Sequence, residues 1–196
     1  MECKVEQAPL AVSGDDSAPA DTPTPRMFAW ARNSTIYRLG RRMHTERQLF
    51  DAIARKAREK FQSISEAQVK ALADSAVNFA SENKLLDDKV FAEISSRSGM
   101  RSGKSQRAIA QKLTQKGVAK ELAASAAAEV DDLYAAVVLA RKRAFGPFRK
   151  VELDEKRKGK ELSAFARAGF SFEIGRVVFG MGLNEAQDVL ERGRDL

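Results

Sequence analysis

The stretch from Gly99 to Ser105, GMRSGKS, has the residue types that nucleotide chemistry would use. In a phosphate-binding loop, glycine amides and a lysine such as Lys104 bind phosphate oxygens, and a serine such as Ser105 holds magnesium. That loop needs four residues between its first glycine and the Gly-Lys pair, whereas three stand here. The residues before it also have a helical composition, not that of a buried strand. We therefore predict a helix end, a turn and a helix N-cap at Ser105.

The sequence offers few other arrangements of residues that could catalyse a reaction or bind a metal. The chain has one histidine, His44, and one cysteine, Cys3, which excludes histidine-rich and multi-thiolate metal sites as well as an intrachain disulfide framework. His44 has no evident serine or cysteine nucleophile. The adjacent Asp87 and Asp88 would point in different directions on a helix, where they would charge and cap its N-terminus. We expect no enzymatic activity, no cofactor and no metal.

Charge is the most unusual bulk property of the sequence. The 196 residues carry a net charge of +7. Residues 1–25 hold five acidic side chains against Lys4 alone, a net of −4, so the remaining chain carries +11. Such a surface favours a polyanion or an acidic partner, although a solvated basic face without a partner would have the same composition.

The sequence has no feature of a membrane or secreted protein. No apolar run approaches 18 residues, and the N-terminus lacks the basic start and apolar core of a signal peptide. The single cysteine fits a reducing compartment. We expect a cytoplasmic protein with no membrane contact.

The elements can be read from prolines, short polar residues and glycines. Four of the five prolines lie in the first 25 residues, where the composition predicts a disordered acidic leader over 1–26. The body is predicted to be helical, because Pro147 is the only proline after Met27 and the strand formers Val and Ile never alternate with polar residues over a long run. Predicted N-caps are Thr45, Ser65, Asp87, Ser105 and Ser171, and predicted helix stops are Gly40, Gly117, Gly169 and Gly182. These signals predict nine helices near 29–39, 45–59, 65–83, 87–98, 104–116, 119–130, 132–144, 154–168 and 171–181.

The predicted helices form three groups that align with one another. At an offset of 52 residues Gly169 lies over Gly117, and at an offset of 60 residues Thr45 lies over Ser105. Apolar positions fall mostly on apolar positions in both alignments. We predict an all-α fold, an elongated and curved array of three tandem three-helix repeats at 27–84, 85–131 and 132–196.

Basic residues recur at matched places in the three groups. On the helix predicted at 104–116, Lys104, Arg107 and Gln111 fall within about 60° of arc, opposite the apolar Ile109 and Leu113. If the groups stack in a row, such clusters would form a discontinuous positive strip along one side. The candidate binding residues are Arg38, Arg41, Arg42, Arg47, Arg97, Arg101, Lys104, Arg107, Arg141, Lys142 and Arg143.

The segments LLDDKVFAEISSR, RAIAQKLTQKGV and LSAFARAGFSFEIGRVV resemble the RecX family of bacterial regulatory proteins, which modulate the RecA recombinase. Leu85–Ala92 resembles the family's Leu-Asp-Asp-x-x-Phe-Ala segment, Lys116–Gly117 its lysine-glycine turn, and Gly169–Ser171 its terminal Gly-Phe-Ser. The resemblance covers about 35–182. The sequence departs from the family pattern in its acidic leader, in an inserted REKFQSI segment and in a thinned third group.

The resemblance implies a non-enzymatic regulator that binds in the groove of the RecA nucleoprotein filament. It further implies inhibition of filament extension, strand exchange and ATP hydrolysis during recombination and the SOS response. We expect a monomer that binds single- and double-stranded DNA weakly and without sequence preference. Two other functions fit the residues: a helix-turn-helix transcriptional regulator, and a helical adaptor whose charge serves solubility alone.

Overall fold

The computed structural model describes residues 21–193 as an all-helical chain, which confirms the predicted fold class. Ten α-helices and one 3-10 helix occur in that range, and no strand. The α-helices are α1 Pro25–Leu39, α2 Glu46–Lys60, α3 Glu66–Glu82, α4 Asp88–Arg101, α5 Gln106–Gln115, α6 Lys120–Ala128, α7 Asp132–Arg143, α8 Glu155–Arg167, α9 Phe172–Gly180 and α10 Leu183–Arg192. The 3-10 helix is Gly146–Phe148. We call α1–α3 module 1, α4–α6 module 2 and α7–α10 module 3.

The five predicted N-caps all cap helices, at the starts of α2, α3, α4, α5 and α9. In each, the side-chain oxygen accepts a hydrogen bond from the backbone amide three residues on, which satisfies a donor that the helix itself cannot. Thr45 and Ser65 form full capping boxes, because their own backbone amides donate to the side-chain oxygens of Gln48 and Gln68. Short polar side chains thus fix where these helices begin.

The structure differs from the prediction at the start of α1, at the end of the leader and at the end of α4. Helix α1 begins at Pro25, because Thr24 caps it and proline suits the first helical position, so the leader predicted over 1–26 ends too late. Its residues 1–20, with Cys3, lie outside the described range. Helix α4 continues through Gly99 to Arg101, so the end predicted near 98 is too early; a Cβ at Gly99 would lie 2.8 Å from the side chain of Ile109 in α5.

A tenth helix, α10, was not predicted. Gly182, predicted to stop a helix, instead lies at the N-cap position of α10, and α9 already ends at Gly180. The buried Ala186, Val189 and Leu190 lie along one side of α10 at helical spacing. This side packs against α7 and completes module 3.

The apolar core divides into two clusters. The first lies within module 1, around Leu49, Ile53 and Leu72. The second is shared by modules 2 and 3 and includes every residue of α7 from Tyr134 to Ala140, all of which are buried. Because α7 packs against α4 as well as α9 and α10, modules 2 and 3 are joined through a common core.

A buried ion pair between Arg149 and Glu161 holds the segment between α7 and α8 in place. Both oxygens of Glu161, a residue only 1% exposed, accept hydrogen bonds from Arg149, from Nε at 3.0 Å and from a terminal nitrogen at 2.7 Å. The amide of Gly146 donates to the same carboxylate at 3.0 Å. Burial alone would raise the pKa of Glu161, but these hydrogen bonds and the charges of Arg149 and Arg157 hold it below its usual value.

Candidate polyanion-binding surface

The same kind of hydrogen bond links module 1 to module 2 and module 2 to module 3. We call each of these two boundaries a joint. The hydroxyl of Thr45, which caps α2, donates to the carbonyl of Lys116 in module 2 at 2.6 Å. The hydroxyl of Ser105, which caps α5, donates to the carbonyl of Ala168 in module 3 at 2.8 Å. The two donors are 60 residues apart and the two acceptors 52 apart, the same two offsets that align the repeats in the sequence.

Glycines and aspartates repeat in the same way at each joint. Gly117 and Gly169, directly after the acceptor residues, have φ values of +92° and +90°, in the left-handed region that favours glycine. Asp88 at the start of α4 accepts from the amide of Glu46 at 3.3 Å, and Asp132 at the start of α7 accepts from the amide of Gln106 at 2.6 Å.

These joint carboxylates are partly buried. Burial raises the pKa of both Asp88 and Asp132, while the hydrogen bond from the neighbouring module's amide partly opposes that rise. Each joint therefore combines a cap hydroxyl, a left-handed glycine and a partly buried carboxylate.

At each joint, the end of a module's middle helix lies beside the start of the middle helix of the preceding module. Basic side chains lie close together there. Lys116 lies near Arg42 of module 1, whose charge adds to the lowering of the Lys116 pKa by burial and by Lys112. Lys142 of module 3 donates to the carbonyl of Ser102 in module 2 at 3.0 Å, close enough to Lys104 to contribute to its lowered pKa.

Two concavities of the basic surface lie on module 2. The first is a cavity of about 280 Å³ between α4 and α5, whose wall includes Lys104, Lys112 and Lys116. The second is a groove of about 550 Å³ between modules 2 and 3, lined by Lys104 and Lys112 from one side and by Arg143 and Arg167 from the other. The two share Ser102, Lys104 and Lys112 in their linings, so they lie side by side. We call the surface formed by Arg42, Lys104, Lys112, Lys116, Lys142, Arg143 and Arg167 the basic strip.

The predicted residues of module 1 lie in and after its first helix. Arg38 lies in the last turn of α1 and donates to Ser34, and Arg41 donates to the hydroxyl of Tyr37 at 2.5 Å while lying over its ring. Arg42 donates to the buried His44 at 3.3 Å. Burial, with the charges of Arg42 and Arg38, lowers the pKa of His44, so this histidine contributes no positive charge to the surface at neutral pH.

Arg47 differs from its neighbours because it pairs with a carboxylate. Its guanidinium lies 3.3 Å from Asp51 one helical turn on, and both side chains are exposed. Its stem packs against Gly117 across the first joint. Part of its charge is therefore offset locally, and its contact with module 2 is chiefly apolar.

Arg97 lies on another side of α4 from the lysines. It lines a separate concavity with Glu93 and Glu129, whereas Ser95 and Ser98 face the lysine cavity. Arg101, Arg107 and Arg141 are exposed. Arg141 and Lys142 also line a further groove of about 460 Å³ on module 3 that includes Arg149 and Lys150.

Sequence reasoning missed Lys112, Lys116 and Arg167 of the basic strip. A signal for two of them existed, since Lys112 and Lys116 are four residues apart and so lie on one helix face. Phe91 and Phe165 are buried in the core and Phe145 packs against it, and Lys116 lies over the Phe91 ring, with its Nζ 4.9 Å from the centroid.

Known proteins can be compared with this fold and surface. A family model described as "RecX, second three-helix domain" matches residues 87–126, which lie within α4–α6. The protein named "Regulatory protein RecX" of Agrobacterium fabrum (strain C58 / ATCC 33970) is 63% identical over 176 residues, covering 90% of this chain and 96% of the relative. The chain belongs to the RecX family. A regulatory protein RecX of Myxococcus xanthus (strain DK1622) is 35% identical over 156 residues, covering 76% of this chain and 83% of the relative.

A solved RecX structure supports the fold independently. The crystal structure of RecX from Lactobacillus salivarius matches with a TM-score of 0.60 at 20% identity, covering 79% of this chain and 96% of the other. At that identity the likeness concerns the fold alone. Among the residues from 21 to 193, no helix is long and apolar enough to cross a bilayer.

Proposed function

We propose that this RecX family member is a non-enzymatic regulator that binds within the groove of the RecA nucleoprotein filament and inhibits its extension, strand exchange and ATP hydrolysis. The regulatory role follows from the family. Relatives that align over most of this chain carry the name of a regulatory protein. The inhibitory direction and the filament as target rest on the resemblance given above.

One observation carries the proposal: basic side chains from all three modules meet across the two joints. Arg42 approaches Lys116, and Lys104 and Lys112 face Arg143 and Arg167. A filament presents repeated anionic groups along a line, so several weak contacts on one rigid array add their free energies once the first has formed. A small anionic partner would not need contacts from three modules.

The experiment that tests the proposal is the single-stranded-DNA-dependent ATPase of the cognate recombinase, measured with and without this protein. Inhibition is expected to deepen with the concentration of the protein and to be stronger when it is present during filament growth. An unchanged ATPase together with unchanged filament length by electron microscopy would refute the proposal.

The function as a sequence-specific transcriptional regulator predicts a different response to DNA. In a mobility-shift assay with duplexes of unrelated sequence, the proposed regulator should bind them all weakly, with an affinity that falls steeply with salt. A reader of bases would instead prefer one duplex by about 10³-fold or more. Such a preference would favour the transcriptional role.

A further inference from the structure

The cavity between α4 and α5 is an open concavity lined by positive charges that have no carboxylate partner among the described residues. Lys104 precedes the cap of α5, Lys112 lies in its last turn, and Lys116 follows its end. All three line the cavity, whose floor includes the buried Ile109 and Leu113. In the part of the chain from 21 to 193, no carboxylate lies within 4 Å of any of these amino groups.

Two lysines of module 1 are instead paired with a carboxylate on their own helix. Lys56 is 2.8 Å from Glu59, and Lys70 is 2.7 Å from Asp74, so the charge of each is offset on its own helix. The cavity lysines repel one another instead. Direct contact with Lys112, then burial, then the charges of Lys112, Lys116 and Lys142 lower the pKa of Lys104. A bound anion would remove this repulsion.

The backbone of the GMRSGKS turn does not supply the anion site. The amide of Gly103 donates to the carbonyl of Met100 at 2.8 Å, and the amide of Lys104 donates to the carbonyl of Gly99 at 3.1 Å. These donors are already used within the turn. An anion here is therefore held by side chains, which differs from the backbone cradle of a nucleotide-hydrolase loop.

Size and polarity restrict the ligand. At about 280 Å³ the cavity lies just below the 300–1,000 Å³ typical of pockets that enclose a whole small molecule. It has room for several waters at about 30 Å³ each, and therefore for a phosphate group that keeps part of its hydration. The hydroxyls of Ser95 and Ser98 in the lining can donate to its oxygens.

We propose that this cavity is a phosphate-binding site, in which Lys104, Lys112 and Lys116 hold one phosphate group of a nucleic-acid strand. The groove between modules 2 and 3 shares Ser102, Lys104 and Lys112 with the cavity and carries Arg143 and Arg167, so it can bind a neighbouring phosphate of the same strand. This inference deepens the proposed function, on which its biological meaning rests. It can be tested without recombinase.

The test compares the full-length protein with Lys112→Gln/Lys116→Gln and with the matched control Lys56→Gln/Lys70→Gln. Inorganic phosphate is added to each, and the thermal unfolding midpoint is followed. The midpoint should rise with phosphate in the wild type and the control, because a ligand of the native state stabilises it, and should rise less in the cavity variant, which keeps only the general stabilisation by a kosmotropic salt. If all three respond alike, the site is refuted.

A labelled oligothymidylate identifies the source of the phosphate. In an anisotropy titration at several salt concentrations, loss of the one phosphate contact should make the slope of log affinity against log salt shallower by about 0.7 in the cavity variant alone. An unchanged slope would refute the nucleic-acid ligand and leave free phosphate as the ligand.

A second variant guards against misfolding. Lys112→Arg/Lys116→Arg keeps both charges and should retain the phosphate response, and loss of that response would contradict a charge-based site. The proposed function fails separately, through an unaltered recombinase ATPase in a protein that still binds phosphate.

Discussion

The Ser105 hydroxyl donates to the carbonyl of Ala168 at 2.8 Å while its oxygen also accepts from the amide of Ala108 within its own helix. One buried side chain therefore both begins a helix and joins two modules. Thr45 does the same at the other joint, toward Lys116 and Gln48. The basic strip depends on these contacts, because they set the position of each module relative to the next.

Replacing Ser105 with alanine should lower the free energy of unfolding by about 2 kcal/mol, since an N-cap and a buried inter-module hydrogen bond are lost together. Ser171→Ala is the control, because Ser171 is an exposed N-cap whose side chain accepts from Ile174 within its own helix. The control should lose about 1 kcal/mol. Urea denaturation measures both, and equal losses would contradict a role of Ser105 in the joint.

Replacing Gly169 with alanine should destabilise the second joint by about 1–3 kcal/mol, because a side chain at φ +90° is strained and its Cβ would lie 2.6 Å from the Ser105 oxygen. Gly159→Ala should act in the opposite direction. Gly159 lies inside α8, and a Cβ added there would meet nothing within 4 Å, so alanine should stabilise the helix by about 0.5–1 kcal/mol. Thermal unfolding tests the predicted difference in sign.

Removing the positively charged partner of Glu161 should lower the free energy of unfolding strongly. Arg149→Met leaves a buried carboxylate without its main donor, and we expect a loss of about 3–5 kcal/mol. Arg58→Met, which breaks an exposed pair with Glu66, should have a much smaller effect. Urea denaturation compares the two variants, and equal losses would contradict the importance of burial at Glu161.

The Arg149–Glu161 ion pair also predicts that the stability of the fold depends on pH in the acidic range. Because the folded pKa of Glu161 is lowered, its contribution is present above the usual carboxyl value of 4.5 and is lost as pH falls through the folded pKa. Unfolding titrations of the wild type and Glu161→Gln should therefore converge at acidic pH. Parallel curves would contradict the assignment.

Asp132 predicts the opposite dependence at the second joint. Its folded pKa is raised by burial, so the stability it contributes is fully present below its unfolded pKa and is lost as pH rises through the folded pKa. Asp132→Asn keeps an acceptor for the Gln106 amide without the charge. The stability of this variant relative to the wild type should increase as pH rises from acidic to neutral, and a decrease would show that the ionised carboxylate is favoured.

Reversing Lys104 and Arg107 to glutamate should weaken binding to the recombinase filament and relieve inhibition, with circular dichroism unchanged. Both side chains are accessible, since Lys104 is partly exposed and Arg107 is exposed. Lys56→Glu/Lys70→Glu changes the net charge equally in module 1 and should inhibit nearly as well as the wild type. Retained inhibition by the first variant would remove those two residues from the contact.

Much of the fold could be predicted because its signals are local. An N-cap such as Ser65 acts on an amide three residues away, and a left-handed glycine such as Gly117 acts on its own backbone, so each can be recognised within one turn of sequence. Helix α10 was missed because the glycine before it, Gly182, resembled a stop, while its apolar side acquires a partner only through α7.

The sequence by itself determined the helices, the two offsets of the repeat and the excess of positive charge, because these depend on neighbouring residues and on composition. Only the tertiary structure decided which charges lie together. It separated Arg97 from the lysines of α5, offset Arg47 with Asp51, and added Lys112, Lys116 and Arg167 to the strip. The physical reason is that helical periodicity gives the direction of a side chain on its own helix, whereas its neighbours across a joint depend on how two modules pack.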